Sequence, residues 1–434
     1  MFRFLFIRPL VLLGTGIAAS FVVCAATTCT AEQPSTAPAH SQSKSPTSLS
    51  TGKIAPYVAR FGRPRPVIAV IGENRATELT DFVIPYAVLA QAGGSELVTV
   101  ATRPGVLRMR PALQLQTQET IQSFDARYPQ GADYVIVPAV VLSNDSALVH
   151  WVAAQGAKGG TVVSICDGAL VVANSGLLNG HRATAHWATE GLRKQKYPQV
   201  QWLANVRYVA DGKVVSSAGI SAAMPTALAL VEALFGPERA AAVAQQVGVA
   251  EWGIQHNSDV FHPRFGVNLL AFATVLAANP WFHATEQVGV PVAAGVDDIA
   301  MALTVDAYSR TGRSRAYSVA ASAEPLRTRH GLTLVPDRLQ GDTNKLAWVT
   351  PPPAATAWAP LFNGVLAGIE KRYGYQTAYA ITLDFEYPGF KKQLRHPIQP
   401  STHESPANRK TRHGLRPAPA SAVPASHRRR GAPL

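Results

Sequence analysis

One continuous apolar run and one mostly apolar run flank a helix-length segment early in the chain, and this order constrains the fold more than any other feature. The runs cover residues 67–71 and 97–101, and between them residues 78–92 show helical spacing that Gly93 and Gly94 close. Apolar runs without polar alternation are typical of strands buried on both faces of a parallel sheet. Parallel neighbours need a crossover connection, which is right-handed and lays its helix on the sheet. The sequence therefore predicts a parallel sheet covered by helices.

The same alternation of strand and helix continues to residue 236. Short apolar strands separated by helices are typical of α/β domains. We therefore predict an α/β parallel-sheet sandwich over residues 65–236. The further predicted elements are strands at 133–138, 161–165 and 182–186, a hairpin at 207–217, and helices at 146–156, 169–176 and 224–235.

A second copy of the opening unit is suggested in the later part of the chain. Residues 316–320 repeat the strand pattern of residues 97–101, and at the same spacing Arg327 and Gly312 repeat Arg108 and Gly93. No second cysteine follows residue 330. We predict a degenerate second α/β domain at 285–390 behind a helical connector at 237–284, with an unrelated α/β extension as the alternative.

The connector is rich in histidine but does not predict a metal site. His256, His262 and His283 lack the spacing of metal ligands and have no cysteine or carboxylate cluster beside them. Core or surface packing is the expected role of these histidines. No cofactor and no nucleotide site is predicted anywhere in the chain.

The N-terminal residues predict export. Arg3 and Arg8 precede an apolar run, and small residues follow it, as in a signal peptide over residues 1–31. The alternative is an uncut membrane anchor, since the run approaches spanning length. A Ser/Thr/Pro-rich disordered linker is predicted at 32–64. The expected location is therefore periplasmic or extracellular, or anchored to the membrane through this segment.

Most of the excess of basic over acidic residues lies in the tail of the chain. The formal net charge is +13, and residues 391–434 hold ten Lys and Arg against Glu404 alone. Such a Pro- and Ala-rich tail cannot bury enough apolar surface to fold, so a disordered extension is predicted. Nucleic acid is not an expected partner, because no paired-helix DNA-binding segment follows residue 236.

The candidate chemistry lies where a predicted strand runs into Cys166, Asp167 and Gly168 and turns at once into a helix. Such a corner holds a nucleophile over a cleft, and backbone N–H groups beyond it can hold a developing oxyanion. The N-terminus of the following helix would stabilise a thiolate. The alternative is an inert core cysteine. If the first 31 residues are removed, Cys166 is the only thiol and no disulfide can form within the chain.

Three stretches resemble the ThiJ/PfpI superfamily, of the class I glutamine amidotransferase-like proteins: residues 79–86, 164–187 and 216–236. The resemblance is nearest to the branch of isonitrile hydratases and of sensor domains in AraC-type regulators, and it implies a flavodoxin-like sandwich. It also implies that Cys166 is the nucleophile, that Asp81 contacts its sulfur and that His186 belongs to the site. The backbone at Asp167, Ala139 and Val140 would then supply N–H groups to a substrate.

Several alternatives stay open at these positions. Asp81 could instead cap a helix, and His186 could act as a base or simply pack against backbone. A carboxylate at Asp167 is expected to raise the thiol pKa. Side chains at Ala139 and Val140, where the family commonly has two glycines, narrow the pocket and disfavour a bulky or anionic substrate.

The resemblance implies three classes of function. The first is a cysteine-dependent hydratase or hydrolase of small molecules, similar to isonitrile hydratase. The second is a non-catalytic small-ligand or redox-sensing domain, and the third is a structural module of the envelope. Whether the chain is an enzyme stays open. The expected partners are a small molecule and either a second copy, as a homodimer, or the second domain of the same chain.

Overall fold

The computed structural model describes residues 53–354 and 357–390. The predicted signal or anchor segment, most of the predicted linker and the basic tail lie outside these residues. The strands of the first half are β1 Val67–Gly72, β2 Thr77–Glu78, β3 Glu96–Ala101, β4 Leu107–Arg110, β5 Gln114–Gln116, β6 Glu119–Thr120, β7 Tyr134–Val137, β8 Thr161–Ser164, β9 Arg182–Ala183, β10 Gln201–Trp202, β11 Tyr208–Asp211 and β12 Val214–Ser217. The helices are α1 Leu79–Ala92, α2 Ile121–Arg127, α3 Ser146–Ala157, α4 Gly168–Asn174, α5 Glu190–Lys196, α6 Ala223–Phe235 and α7 Pro237–Val247.

A seven-stranded sheet in the order β11-β12-β8-β7-β1-β3-β6 forms the centre of the first half. All neighbours are parallel except the β11–β12 hairpin. Side chains of a strand alternate between faces, and Ile68 and Val70 of β1 accordingly join the core under α1 and α6. Val67 and Ala69 join the opposite core under α2, α3 and α4. The prediction of an α/β parallel-sheet sandwich is confirmed.

The second half contains a smaller parallel sheet. Its order is β17-β14-β13-β18, with all neighbours parallel. The elements after residue 247 are β13 Glu286–Pro291, β14 Ser314–Ala320, β15 Leu326–Arg327, β16 Thr333–Val335, β17 Arg338–Leu339 and β18 Trp348–Val349, with the helices α8 Leu269–Ala273, α9 Asn279–Phe282, α10 Asp298–Ser309, α11 Trp358–Tyr373 and α12 Tyr375–Asp384.

The two halves repeat one another element by element. Strands β13, β16 and β17 correspond to β1, β5 and β6, and helix α10 corresponds to α1. Each element begins the same number of residues after its counterpart, and Gly312 follows Gly93 at this same spacing. After β18 the chain passes to α11 and α12, which follow each other across Gly374 as α6 and α7 do across Gly236, with φ of 88° at both glycines. Within the described residues, the second half has no counterpart of β8 and of the corner that carries Cys166.

A pseudo-twofold axis relates the halves where β5 pairs with β16. The pairing is antiparallel, and Leu115 lies opposite its own counterpart, Leu334. The same pairing extends the β4–β5 hairpin into a five-stranded sheet, β15-β16-β5-β4-β2. Helix α1 packs on α10 around the same axis. This arrangement brings the C-terminal end of α10 to the first half of the molecule.

One segment outside the α/β units, residues 53–64, differs from a simple linker. Residues 53–64 were assigned to a disordered linker, but Ile54 is buried and the N–H of Tyr57 donates to Ala233 O at 2.8 Å. An apolar side chain and a backbone hydrogen bond therefore hold this part against α6. None of the helices among the described residues is long and apolar enough to cross a membrane.

Candidate active site

Cys166 occupies a strained corner between β8 and α4. Its φ is 54°, in the left-handed region that residues with a side chain rarely adopt. A Cβ on Gly168 would lie 2.0 Å from the carbonyl oxygen of Val137, so only glycine allows the corner to turn against β7. The backbone N–H of Cys166 donates to the Ser217 hydroxyl at 3.2 Å. Neighbouring strands thus hold the cysteine in this conformation.

A cleft of about 410 Å³ lies in front of the sulfur. Arg310 and Asp384 of the second half form part of its wall, so both halves build the site. The residues of the first half that line it include Glu78, Arg110, Ala139, Val140, Cys166, Asp167, Leu170, His186 and Ile220.

Asp81 is a fully buried carboxyl inside helix α1. The helix begins after Glu78, so Asp81 is the third helical residue and does not cap the helix. One oxygen, Oδ2, accepts the N–H of Ala139 at 3.1 Å, while Oδ1 is buried without a hydrogen-bond partner among the described residues. Burial, followed by the nearby Glu78 carboxyl, raises the Asp81 pKa well above its usual value. Burial therefore favours the protonated form of Asp81.

The environment of Cys166 disfavours the thiolate. Burial raises the thiol pKa well above its ordinary value, and the Asp81 and Asp167 carboxyls raise it further. A hydrogen bond from the Asp167 backbone lowers the pKa but does not offset these effects. The helix α4 that follows has seven residues, and the burial and carboxyl effects on the thiol pKa oppose the thiolate stabilisation expected from its N-terminus.

Asp167 and His186 are tied to the surrounding structure. The Thr189 hydroxyl donates to Asp167 Oδ1 at 2.6 Å. Burial raises the Asp167 pKa. Nε2 of His186 lies 2.9 Å from the carbonyl oxygen of Asp384, and its Nδ1 accepts the N–H of Ala188 at 3.2 Å. Both ring nitrogens of His186 therefore bond to backbone atoms. Of the two roles that the sequence left open for His186, this bonding matches a packed histidine rather than a base for Cys166.

Ala139 and Val140 differ in what they can offer a substrate. The N–H of Ala139 is already given to Asp81, so this residue is not free to hold an oxyanion. Val140 forms an antiparallel bridge with Thr77 and lines the cleft. No acceptor takes its N–H within the part of the chain that the structure describes. Of the two backbone N–H groups predicted at Ala139 and Val140, only that of Val140 is thus free to bind a substrate.

An ion-pair network that sequence reasoning missed closes one side of the cleft. Arg310 contacts Glu78 and Asp306, and its Nη1 lies 2.6 Å from Asp384 Oδ2. Burial raises the Glu78 pKa to about 7, although Arg310 lowers it. The position of Glu78, three residues before Asp81, was an available signal. Nothing in the sequence around Arg310 pointed to the site, because its contact with Glu78 spans 232 residues.

Glu386, another buried carboxyl, supports the loop that carries His186. Its Oε2 lies 2.5 Å from His256 Nε2, and its Oε1 accepts the Trp187 N–H at 3.1 Å. A Cβ on Gly219 would lie 2.7 Å from both Glu386 and His186, so glycine leaves room for this contact. His256 therefore has a structural role. No group of three or more potential metal ligands occurs within the described residues.

Comparisons with known proteins agree with this geometry. The family model described as the DJ-1/PfpI family matches residues 67–233. The isonitrile hydratase of Pseudomonas putida is 30% identical over 175 residues, which are 39% of this chain and 73% of that enzyme. The chain belongs to the DJ-1/PfpI family. The resemblance stated from the sequence is thereby confirmed.

Three further proteins match parts of the chain. The HTH-type transcriptional regulator CdhR of Pseudomonas aeruginosa is 35% identical over 100 residues, which span 23% of this chain and only 30% of the regulator. The crystal structure of Drosophila melanogaster DJ-1beta matches 43% of this chain and 99% of its own, at 21% identity and a TM-score of 0.39. An AraC family regulator from Pseudomonas putida matches 42% and 98%, at 18% identity and a TM-score of 0.37.

Proposed function

We propose that this DJ-1/PfpI protein hydrates a small electrophilic molecule through Cys166, with isonitriles as the substrate class. The observation that carries the proposal is the buried Oδ1 of Asp81, which has no hydrogen-bond partner among the described residues. Burial raises the pKa of this carboxyl and of the neighbouring Cys166 thiol, so both groups favour their protonated forms. A buried polar atom without a partner is rare in folded proteins. The lining of the cleft includes Cys166 but not Asp81, so this carboxyl would exchange a proton only with a ligand bound at the sulfur.

Acid-assisted addition suits this site better than attack by a preformed thiolate. An isonitrile accepts a proton at its terminal carbon and becomes a nitrilium ion, which a neutral thiol can attack. Asp81 would supply that proton and then take the proton that Cys166 loses as the carbon–sulfur bond forms. Water then adds to the thioimidate, the carbon–sulfur bond breaks, and the thiol recovers its proton. Isonitrile and water together give one N-substituted formamide.

Ligand sensing without turnover is the second candidate function. Asp167 favours it, because this carboxyl raises the thiol pKa and is itself held by the Thr189 hydroxyl. The HTH-type transcriptional regulator CdhR, which is 35% identical to this chain over 100 residues, is named for a regulatory role. In this case the cleft would bind a small molecule and Cys166 would stay unmodified.

The location proposed for the function is outside the cytoplasm or at the membrane. The support is the sequence alone, with Arg3 and Arg8 before the apolar run of residues 1–31. Fractionation of cells that express the full chain would test it. Recovery of the protein in the cytoplasmic fraction would contradict the proposal.

The test of function is formamide formation from a simple alkyl isonitrile, followed by proton NMR. The wild-type chain is expected to turn over, and Cys166→Ser to lose all turnover. Asp81→Asn keeps the shape and the Ala139 hydrogen bond but carries no acid, so a loss of about 100-fold or more in kcat is expected. Turnover that survives Cys166→Ser would contradict the mechanism. Binding of the isonitrile without any formamide would favour the sensing function.

A further inference from the structure

A second cavity, of about 320 Å³, lies where the internal repeat places the counterpart of the Cys166 cleft. Asp297, which precedes α10, lines this second cavity and corresponds at the spacing of the repeat to Glu78 of the cleft. Arg329 also lines it and corresponds to Arg110. Small-molecule sites commonly have volumes of about 300 Å³ or more. The second cavity therefore has room for a ligand of its own.

The second cavity differs from the Cys166 cleft in the groups that carry chemistry. Ala300 stands at the position that corresponds to Asp81, so the repeat supplies no buried carboxyl there. Among the residues that the structure describes, no cysteine lines the cavity. A ligand in the second cavity would therefore be bound and released unchanged.

The carboxylates at the second cavity are already bonded to neighbouring groups. Asp297 Oδ1 accepts a backbone N–H of α10 at 2.9 Å, and its Oδ2 lies 3.5 Å from Arg329 Nη1. His330 is held between Asp298 Oδ2 at 2.8 Å from its Nδ1 and Gln91 Oε1 at 2.6 Å from its Nε2. This bonding fixes one wall of the cavity before a ligand arrives.

Several hydrogen-bond donors that line the second cavity have no acceptor among the described residues. They are Nε and Nη2 of Arg329, the indole N–H of Trp358 and the side-chain nitrogen of Gln246. Val247 and Ile299 add apolar surface to the same lining. Free donors beside apolar side chains complement a ligand that has an acceptor group on an apolar body.

A carboxylate is the acceptor group that suits these donors best. A guanidinium carries five N–H donors in a planar fork and binds carboxylates through two of them at once. The pairing with Asp297 is loose at 3.5 Å and uses one nitrogen of Arg329, whose side chain is 50% exposed. Arg329 can therefore bind a second carboxylate without losing Asp297.

Two helices connect the second cavity to the Cys166 cleft. Helix α1 begins after Glu78 at the cleft and has Gln91 in its last turn at the second cavity. Helix α10 runs the other way, from Asp297 at the second cavity to Arg310 at the cleft, and it packs on α1. Arg310 and Glu78 form an ion pair. A ligand that moves the end of either helix at the second cavity therefore changes the wall of the cleft.

We propose that the second cavity binds a small monocarboxylate with an apolar body, and that this ligand regulates the Cys166 cleft. Regulation requires that the ligand bind one arrangement of the two helices more tightly than another. The proposal concerns ligand binding and thiol reactivity, so it does not depend on the proposed reaction, and either can fail alone.

Calorimetric titration of the full chain with phenylacetate tests the binding site, with phenylacetamide as the neutral probe of the same shape. We expect phenylacetate to bind at least about tenfold more tightly, because a charge-assisted hydrogen bond is stronger than a neutral one. Arg329→Gln is expected to remove this preference. The matched control is Arg327→Gln, since this exposed arginine donates to Gly331 O at 2.8 Å and is expected to leave the preference unchanged.

The variant Arg110→Gln distinguishes the two cavities, because Arg110 lines only the Cys166 cleft. It is expected to bind phenylacetate as the wild type does. Equal affinity for phenylacetate and phenylacetamide would overturn the proposal. So would a preference that Arg110→Gln removes and Arg329→Gln keeps, because the carboxylate would then lie in the cleft.

Alkylation of Cys166 by iodoacetamide tests the regulation, in a chain whose Cys24 and Cys29 are replaced by serine. Saturating phenylacetate is expected to change the rate constant at least about twofold, as for a modest coupling between two sites. Arg329→Gln is expected to lose this change at the same concentration of phenylacetate. A rate constant that bound phenylacetate leaves unchanged would overturn the regulatory role of the second cavity.

Discussion

Three carboxyl groups lie close enough to Cys166 to raise the pKa of its thiol. They belong to Asp81, Asp167 and Glu78, and burial of the sulfur adds the largest effect. Thiolate formation in such a place would put a further negative charge in a desolvated acidic cluster. The site is therefore suited to keep protons rather than to release them.

The raised pKa of Glu78 makes the stability of the protein depend on pH. Its pKa is raised to about 7 in the folded protein, so the folded state binds a proton that the unfolded state releases near its ordinary value. Stability from this group is fully present below that ordinary value and is lost as pH rises toward 7. Glu78→Gln is expected to remove this slope, on the order of 2 kcal/mol between pH about 4.5 and about 7.

Urea unfolding at several pH values measures the effect of Glu78→Gln. The exposed Glu324 offers a matched control, and Glu324→Gln is expected to keep the wild-type slope. An unchanged slope in Glu78→Gln would show that Glu78 titrates normally in the folded protein.

Individual site residues were predictable from sequence only where a local pattern carries them. Cys166 follows a buried strand and precedes Gly168, and Asp81 lies in a stretch that resembles the family. Glu78 and Arg310 carry no such pattern, since their ion pair forms only after the halves associate. The bonding of His186 likewise depends on a carbonyl 198 residues away.

At the scale of elements, the corner between β8 and α4 depends on a single glycine. Gly168→Ala would place a methyl group 2.0 Å from the carbonyl oxygen of Val137, so the corner must open. We expect a loss of about 2 kcal/mol or more in the free energy of unfolding, and loss of activity at Cys166. Thermal and urea unfolding measure the first effect.

Gly191 provides the control for this substitution. It lies in α5 with nothing within 4 Å of an added Cβ. Gly191→Ala is expected to leave stability unchanged or raise it by about 0.5–1 kcal/mol. Equal stability of Gly168→Ala and Gly191→Ala would mean that the corner does not need glycine.

The strands and helices of the first half could be predicted because each has a strong local signal. Strand β1 is apolar at every position up to Gly72, and α1 ends at two glycines. The strands β15 and β18 have two residues each and no such signal. The conformation of β15 and β18 depends on the strands that pair with them. The five-stranded sheet joins strands of both halves, so the sequence of either half alone does not predict it.

For the whole molecule, the pseudo-twofold axis makes one chain resemble a pair of family domains. The second cavity, of about 320 Å³, lies opposite the first. Its lining includes Asp297 and Arg329, which are the counterparts of Glu78 and Arg110 at the spacing of the repeat, and Gln91, which is the counterpart of Arg310. No cysteine of the described residues lines this cavity. We therefore expect one reactive thiol site per chain.

The internal pairing also predicts the state of association. The edge of β5 is already covered by β16, with Leu115 and Leu334 buried between the halves. A homodimer built on that edge is therefore blocked, and light scattering of the purified chain is expected to give the mass of one chain. Leu334→Asp, which buries an unpaired carboxylate at the axis, is expected to open the pairing. A stable wild-type dimer would contradict this account.

The acidic character of the site is tested most directly by alkylation of Cys166 with iodoacetamide as a function of pH, in a chain whose Cys24 and Cys29 are replaced by serine. Cys166→Ser in the same background serves as the blank. The account predicts that the rate rises only well above pH ~8.5, the ordinary pKa of a thiol. Asp167→Asn is expected to shift the rise to lower pH. A half-maximal rate below pH ~8.5 in the parent chain would mean that the surroundings do not raise the thiol pKa, and the acid-assisted mechanism would be wrong.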